Sequence, residues 1–401
     1  MKIRAVYLAS LCALAALAMG CSKGPTQAVY VTGLIVRPPD TTLSMRASIQ
    51  LHAFLVDAAG RPVVEVPASF ASSDSSTAGV SAGGLVTSRG PLGGVVLTAS
   101  YGTFQAAARI RVLDSTIVAS VTVPGRPFGA AANSGGIVYV TRLNADSLAR
   151  FDLPSPAISA HVTVGSVPTS DAFSPNGTTA FVANQGSSDV GIITVATNTQ
   201  STTLSLIGNP FIVRASPDGT LLWVTTNAGG LYAIDLSTHS IVHSFTFPRA
   251  SNGIVFHPTN DSLLYASVID GTVKEINFKR DSVLRTLPIG SEAQGLAIAP
   301  DGSELYVADQ AGYQLKIVSL SSAAVTSIVL PGQPFDVQLS PDGTMIWVGQ
   351  YTAGQVQVFD RSTRALRRTI RTGGTPRRIA FNHAGTLAVI ANEAGWVDFV
   401  K

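Results

Sequence analysis

The sequence contains few cysteines and few charged side chains. Two of its 401 residues are cysteine and 13% are charged. Cys12 and Cys21 both lie near the N-terminus, in a segment with the features of an export signal. Removal of that signal leaves at most one cysteine, so an internal disulfide is excluded. We therefore expect the fold to depend on hydrophobic burial and hydrogen bonds.

The chain also lacks strong charge of either sign and lacks long helical patterns. Without Lys2 and Arg4, the formal net charge of +3 falls to +1, whereas a general nucleic-acid-binding surface needs far more basic charge. No segment after the first twenty residues has helical periodicity. Gly, Ser, Thr and Val recur instead, which favours many short strands and tight turns. A chain of 401 residues is also expected to form at least two folded units.

The N-terminus has the features of a signal peptide. Lys2 and Arg4 precede an apolar run over residues 5–19, which is too short to cross a bilayer comfortably. Small residues then lead to Cys21. This order predicts a signal peptide over residues 1–20.

The segment Leu17-Ala18-Met19-Gly20-Cys21 resembles the lipobox of bacterial lipoproteins. The resemblance implies that Cys21 carries lipid and that residues 21–28 form a tether to the membrane. Ser22 stands where Asp would signal retention at the inner membrane, so we expect the cell envelope, at the outer membrane, facing the periplasm or the surface. Ordinary secretion is the alternative.

Residues 29–113 show short alternating runs separated by turns, of which residues 48–56 are a clear strand candidate. The elements Ser72-Ser73-Asp74, Val80-Ser81, Gly84-Leu85-Val86-Thr87 and Leu97-Thr98-Ala99 resemble, in that order, the group 2 bacterial immunoglobulin-like domain. Phe70 stands where that family commonly has Trp. The resemblance implies a β-sandwich that acts as a spacer or, alternatively, as an adhesive module.

Residues 114–401 contain an internal repeat. The turn Ser-Pro-Asp-Gly or a variant of it recurs with its Pro-equivalent residues 41 or 42 positions apart, at 175, 217, 258, 300, 341 and 383. Asn133-Ser134-Gly135-Gly136 extends the series to seven copies. Four strand candidates in each unit of about forty residues predict the blades of a β-propeller.

The seventh unit ends at Lys401 without a fourth strand, whereas residues 116–125 match the fourth-strand pattern and precede the first unit. We expect this N-terminal strand to pair with the last blade and to remove an exposed sheet edge. The repeats resemble the YVTN-type propeller repeats of bacterial and archaeal surface proteins, as in Tyr139-Val140-Thr141. The predicted fold class is all-β: an immunoglobulin-like sandwich followed by a seven-bladed propeller closed by its N-terminal strand.

The strand order assigns the loops to two faces of the propeller. The Ser-Pro-Asp-Gly turns lie on one face, and the loops that precede the inner strands lie on the other, axial face. Apolar walls with a few polar groups suit ligand binding. The candidate binding residues on the axial face are Phe128, Arg142, Phe211, Asp309, Phe335, Asp336, Arg377 and Asn392. The alternative is that the three Phe side chains only cap the central channel.

No motif for hydrolysis, phosphate binding or metal coordination is present, and no cofactor or metal is predicted. Glu292 and Glu393 fall on the axial face, so a carboxylate pair stays open. Between Arg361 and Arg378 the chain carries seven arginines and no acid. This stretch could attract an anionic polymer, or it could be a solvated strand beside an acidic neighbour.

The preferred functional interpretation is a membrane-anchored lipoprotein whose propeller is a non-enzymatic binding or scaffolding head on an immunoglobulin-like stalk. The expected partners are the membrane, through the lipid, and an unidentified glycan, protein or small molecule at the propeller face. Two alternatives remain: a propeller enzyme, resembling lactonases, lyases or quinoproteins, and an electrostatic binder that uses Arg361–Arg378.

Overall fold

The computed structural model describes residues 30–44, 47–89, 93–114 and 116–401. The chain divides into two compact units, with the boundary between Ser115 and Thr116. The predicted signal peptide (residues 1–20) and tether (residues 21–28), with Cys21, lie outside the described residues. Within the described ranges, no helix is long and apolar enough to span a membrane.

The first unit is built from ten short strands. They are β1 (Gly33–Arg37), β2 (Asp40–Ser44), β3 (Ser48–Gln50), β4 (His52–Val56), β5 (Pro62–Val66), β6 (Ser69–Ser72), β7 (Ala78–Val80), β8 (Leu85–Ser88), β9 (Gly93–Tyr101) and β10 (Phe104–Leu113). They form three small sheets, ordered β1-β4-β5, β2-β10-β9-β6 and β3-β8-β7.

One hydrophobic core joins these sheets. Leu34 of β1 and Leu55 of β4 pack in the same buried cluster as Leu97 of β9 and Ile110 of β10. Along β10, exposed and buried residues alternate, because one face of the strand meets this core and the other meets solvent. The first unit is therefore all-β, with its sheets packed around a common core as in a β-sandwich.

The second unit contains seven four-stranded antiparallel sheets, named here blades one to seven. Blade one comprises β12 (Pro127–Ala132), β13 (Ile137–Arg142), β14 (Ser147–Asp152) and β15 (Ile158–Thr163); blade two, β16 (Pro168–Phe173), β17 (Thr179–Asn184), β18 (Asp189–Thr194) and β19 (Thr199–Ser205). Blade three comprises β20 (Pro210–Ala215), β21 (Leu221–Thr226), β22 (Gly230–Asp235) and β23 (Ile241–Thr246); blade four, β24 (Ser251–Phe256), β25 (Leu263–Val268), β26 (Thr272–Asn277) and β27 (Ser282–Pro288).

Blade five comprises β28 (Ala293–Ile298), β29 (Glu304–Asp309), β30 (Gln314–Ser319) and β31 (Val325–Val329); blade six, β32 (Pro334–Leu339), β33 (Met345–Gln350), β34 (Gln355–Asp360) and β35 (Leu366–Arg371). Blade seven comprises β36 (Pro376–Phe381), β37 (Ala388–Asn392), β38 (Trp396–Val400) and β11 (Ile117–Thr122). The first-named strand of each blade is its inner strand. The predicted seven-bladed β-propeller is confirmed.

The propeller closes through its first strand. β11 pairs antiparallel with β38, with Ile117 opposite Val400 and Thr122 opposite Trp396. The strand that comes first in the propeller thus becomes the fourth strand of blade seven, as predicted from the sequence. The pairing joins both ends of the unit and removes the sheet edge that β38 would otherwise expose.

The second strand of each blade is largely buried on both faces. In β17, β21 and β29 five of six residues are buried, since each blade is covered by a neighbour on either side. The outer strand β19 instead has its residues exposed or half-buried in alternation. The hydrophobic cores therefore lie between adjacent blades rather than in one central mass.

Local hydrogen bonds form the repeated turns between the first two strands. In blade three, Asp218 accepts hydrogen bonds from the Ser216 hydroxyl (2.5 Å) and from the Thr220 amide (3.1 Å). The hydrogen bond from Ser216 is the main cause of the lowered pKa of Asp218. Gly219 completes the turn at φ +72°, a conformation that L side chains rarely adopt. The turn aspartates thus serve local folding.

Closure generates a stability prediction. Phe399 of β38 is 1% exposed and packs edge-to-face on Phe151 of blade one, with ring centroids 5.3 Å apart. We expect Phe399→Ala to lower the free energy of unfolding of the propeller by about 3–5 kcal/mol, since it leaves a cavity at the closing junction. Denaturant unfolding measures this loss. Val329→Ala, at a side chain that is 76% exposed, is the control and should change stability by less than about 0.5 kcal/mol. Equal effects of the two changes would contradict the prediction.

Candidate axial binding site

Three predicted site residues meet on the propeller axis. Phe128, Phe211 and Phe335 come from blades one, three and six, and each is the second residue of its inner strand. The ring of Phe128 lies 6.1 Å from that of Phe211 and 5.4 Å from that of Phe335, both edge-to-face. Side chains of non-adjacent blades can meet only near the axis. The ring of Phe128 therefore packs on both other rings, which agrees with the capping alternative; we call the three rings the aromatic plug.

Arg377 of blade seven lies over this plug. Its guanidinium carbon is 5.5 Å from the ring centroid of Phe128, 4.8 Å from that of Phe335 and 4.4 Å from that of Tyr351. Cations are attracted to the faces of aromatic rings, each contact contributing about 0.5–2 kcal/mol depending on solvation. Arg377 is thus already engaged with protein rings, which reduces its availability for a ligand.

Glu393 neutralises Arg377. The Nε of Arg377 donates to Glu393 at 2.5 Å, and Arg126 donates to the other carboxylate oxygen. Burial acts to raise the pKa of Glu393, but the hydrogen bonds from Arg126 and Arg377 outweigh it and the pKa is lowered. Glu393 is therefore ionised and paired with two cations, an arrangement unsuited to a general acid.

Beneath the plug lies a buried ion pair that spans the channel. Arg378 donates to Asp336 at 3.0 Å, and the Ile379 amide donates to the second oxygen of Asp336 at 2.9 Å. Arg378 also reaches the carbonyl of Asn252 in blade four at 3.4 Å. Asp336, a predicted ligand-binding residue, is fully buried, so it connects blades six and seven instead of facing solvent.

Asp171 is a second buried carboxyl group near the axis, and the sequence analysis missed it. It is 2% exposed, and no side chain among the described residues donates a hydrogen bond to its carboxyl oxygens. Burial raises the pKa of Asp171 to about 8, although the nearby charge of Arg214 opposes the rise. Asp171 is therefore mostly protonated at neutral pH, which avoids the cost of an isolated buried charge.

Comparison of the repeats could have revealed Asp171. The residues at the equivalent place in five other inner strands are apolar: Val213, Ile254, Leu296, Val337 and Ile379. A carboxyl group in a series of buried aliphatic residues is a departure that alignment of the repeats exposes.

The three remaining predicted site residues brace loops. Asp309 accepts hydrogen bonds from the amides of Ser291 (3.1 Å) and Glu292 (3.0 Å). Asn392 accepts from the Thr375 amide (2.8 Å), and Arg142 donates to the Pro124 carbonyl (2.7 Å). Each ties the end of the second strand to the loop before the inner strand of the same blade. The structure thus brings together Phe128, Phe211, Phe335, Asp336 and Arg377, and assigns Arg142, Asp309 and Asn392 to bracing.

The arginines between Arg361 and Arg378 do not form one free basic surface. Five of the seven have acidic partners from elsewhere in the chain. The pairs are Arg361–Asp301, Arg364–Glu304, Arg367–Asp360, Arg377–Glu393 and Arg378–Asp336. The guanidinium of Arg368 lies 4.9 Å above the ring of Trp347. This pairing matches the solvated-strand interpretation better than attraction of an anionic polymer.

The histidines and acids of the described residues do not form a metal-binding cluster. No three His, Cys, Asp or Glu residues converge as potential metal ligands within the described part of the chain. The ring of His243 stacks on that of Trp223, with ring centroids 5.9 Å apart, and forms a hydrogen bond with Asp281. His243 therefore packs at the junction of blades three and four.

Comparisons with known proteins support the fold. No family model matches the chain. It is 21% identical over 248 residues to the Antigen Lp49 of Leptospira interrogans serogroup Icterohaemorrhagiae serovar copenhageni (strain Fiocruz L1-130), a match that covers 56% of this chain and 54% of the relative. The chain thus spans about half the length of this curated relative.

Two solved structures resemble the chain at low sequence identity. Hydrazine synthase of Kuenenia stuttgartiensis superposes with a TM-score of 0.63 at 17% identity and covers 72% of this chain and 98% of its own. A chain of the mitotic checkpoint complex superposes with a TM-score of 0.66 at 12% identity; the match covers 72% of this chain and 92% of the other. At such identities the likeness shows the fold alone. The chain is a β-propeller protein distantly related to a leptospiral antigen.

The buried carboxyl group predicts a pH-dependent stability. The pKa of Asp171 is about 8 in the folded state, against an ordinary value of 3.8 for an aspartate side chain. The folded state retains a proton that the unfolded chain releases, so this stabilising contribution is complete below pH of about 4 and is lost as pH rises to about 8. The loss is on the order of 1 kcal/mol per pH unit.

We expect Asp171→Asn to remove this fall in the free energy of unfolding with rising pH. Urea unfolding at several pH values between about 4 and 8 should show that the stability of the unmodified chain relative to the variant falls as pH rises. The control is Asp342→Asn, at an exposed turn aspartate whose pKa is lowered mainly by the Ser340 hydrogen bond. That control should keep the slope due to Asp171; a pH-independent difference between Asp171→Asn and the unmodified chain would contradict the assignment.

Proposed function

We propose that this protein is a lipid-anchored component of the cell envelope, whose propeller is a non-enzymatic binding or scaffolding head. Lipid on Cys21 would anchor the chain at the outer membrane, and the tether would connect it to the first unit. The first unit would be an immunoglobulin-like stalk, and the propeller would be of the YVTN type. The ligand would be a glycan, a protein or a small molecule.

The aromatic plug carries the proposal. Enzymes that use the propeller axis need an open cavity in which reactive groups converge, since catalysis depends on groups placed within about 3 Å of a reacting atom. Here the rings of Phe128, Phe211 and Phe335 meet near the axis, and Glu393 is paired with two arginines. The arrangement supports recognition at the outer surface over chemistry at the centre.

Two further observations support the location. The lipobox-like segment that ends at Cys21 follows an apolar run and a basic start, the order typical of exported lipoproteins. The curated relative is named an antigen, which agrees with a place in the cell envelope. No observation favours the enzyme alternative, and the ion pairs of the Arg361–Arg378 stretch weigh against the electrostatic one.

The anchor is tested by Cys21→Ser. We expect the unmodified chain to incorporate radiolabelled palmitate in producing cells and to sediment with outer membranes. The variant should incorporate none and should appear in the soluble fraction, because stable attachment requires acyl chains on the cysteine. The control is Cys12→Ser, which should keep both label and location. Membrane attachment of the Cys21→Ser chain would contradict the anchor.

The binding head is tested by site-specific photocrosslinking in intact cells. A photoreactive residue replaces Tyr313 on the axial face or Ser321 on the turn face of the propeller, and Val63 of the first unit serves as the control; all three are exposed. We expect a discrete crosslinked product from at least one propeller position and none from Val63. Absence of a product from both propeller positions would overturn the binding function.

A further inference from the structure

The turns between first and second strands form a nearly continuous ring in which each turn packs on the previous one. A Cβ added to Gly219 of blade three would lie 3.4 Å from Cδ of Pro175 in blade two. A Cβ added to Gly343 of blade six would lie only 2.6 Å from Cγ of Pro300 in blade five. In these blades and in blade seven, where Gly385 lies against Pro341, the glycine of one turn receives the proline of its predecessor.

Blade four interrupts this ring. In its turn, Asn260 accepts a hydrogen bond from the Ser262 amide at 3.1 Å, as Asp218 does from Thr220 in blade three. Alignment on this bond shows that Thr259 is an added residue and that Asp261 occupies the glycine position. The side chain of Asp261 is 87% exposed. The contact that the other turns make through glycine is therefore replaced by a charged side chain.

A second departure lies next to the first. The turn between β26 and β27 contains a short 3-10 helix, Phe278–Arg280, the one helix in the described ranges of the chain. Its Lys279 pairs with Asp261 at 2.7 Å, and Phe278 is buried beside Trp223 of blade three. Two irregular turns of blade four thus meet at the junction with blade three.

A cleft of about 280 Å³ opens at this junction. Its apolar lining is formed by Leu221, Phe256, Leu263 and Phe278, and its polar lining includes Asp218, Asp261 and Lys279. The opening coincides with the added residue Thr259, which the aligned turn of blade three lacks. An irregularity that produces a lined cleft is a candidate for function rather than folding.

We propose that this cleft receives one large apolar side chain of a partner protein, followed in the partner by Lys or Arg. The inference rests on the proposed binding function and specifies its site and partner class. The cleft is on the turn face, opposite the axial face considered above.

The size of the cleft favours a protein side chain. Sites that enclose small molecules usually have volumes of about 300–1,000 Å³, and this open cleft, at about 280 Å³, is only as large as the smallest of them. A single large side chain inserted into an apolar pocket is the usual anchor of a protein interface. Phe256 and Phe278, with the two leucines, supply such a pocket.

The charges at the rim favour a basic neighbour. Asp218 is ionised, since the Ser216 hydrogen bond lowers its pKa. Asp261 is paired with Lys279, whose side chain is 55% exposed, and exposed pairs of this kind contribute little free energy. An incoming Lys or Arg could exchange for Lys279 at Asp261 at low cost. The charged lining residues have a net charge of −1, which attracts a cation.

The test uses the full chain, purified in detergent, and an acetylated and amidated tetrapeptide, Gly-Phe-Arg-Gly. Saturation-transfer NMR titrations should show contact of the peptide Phe ring with the protein and a dissociation constant of about 1 mM, as expected for one anchor. Gly-Phe-Glu-Gly and Gly-Ala-Arg-Gly should bind at least about fivefold more weakly, since each lacks one half of the proposed recognition.

Variants locate the binding. Thr259→Trp places an indole over the cleft from an exposed position and should weaken binding at least about tenfold. Ser321→Trp, at an exposed position on the same face of blade five, is the matched control and should bind like the unmodified chain. Asp261→Asn should weaken binding about threefold, and Lys279→Ala should strengthen it about threefold. Thermal unfolding verifies that each variant is folded.

Several results would overturn the inference. These are unchanged binding in Thr259→Trp, equal binding of the Phe-Arg and Phe-Glu peptides, or no binding at several millimolar peptide. Phenylalaninamide binding as tightly as the tetrapeptide would indicate a small-molecule site instead. Concentration-dependent dimers that Thr259→Trp abolishes would indicate a second copy as the occupant. If the cells yield a crosslinked partner while the peptides fail, only this inference is lost; if no partner is captured, the binding function itself fails.

Discussion

The pairing of β11 with β38 is the interaction on which the propeller depends. Seven blades form a ring, and a ring of separate sheets has no covalent closure, so one noncovalent junction must hold both ends of the unit. The chain places its first strand beside its last, with Ile117 opposite Val400, and Phe399 then packs on Phe151 of blade one. Because this junction is closed, every blade has a neighbouring blade on both sides.

Closure also determines what happens at the axis. Seven inner strands converge there, and side chains from non-adjacent blades are forced together. The chain fills the upper part of this space with the aromatic plug and Arg377, and the space beneath it with the Asp336–Arg378 pair, which reaches Asn252 across the channel. Breaking one partner of such a buried pair typically costs about 3–5 kcal/mol. Residues that look like ligand-binding groups in the sequence thus stabilise the centre.

Deviation from the repeat is more informative than the repeat. The turn aspartates recur because Asp and Asn hydrogen-bond the local backbone, as Asp218 does, and their recurrence indicates folding. Thr259, Asp261 and the helix Phe278–Arg280 break the pattern in one blade and coincide with a cleft. Asp171 breaks it in another and creates a buried, protonated carboxyl group. Both deviations can be found only when the copies are compared position by position.

The sequence by itself determined the all-β class, the seven repeats, the closing role of residues 116–125 and the function of the turns. These features depend on local patterns: alternation, turn chemistry and a spacing of 41 or 42 residues. Only the tertiary structure decided that Phe128, Phe211 and Phe335 plug the axis, that Arg142, Asp309 and Asn392 brace loops, and that five arginines of one stretch have acidic partners. The physical reason is distance along the chain. Such contacts join residues from different strands or different blades, and they arise only when the strands of a blade have paired and the blades have packed together.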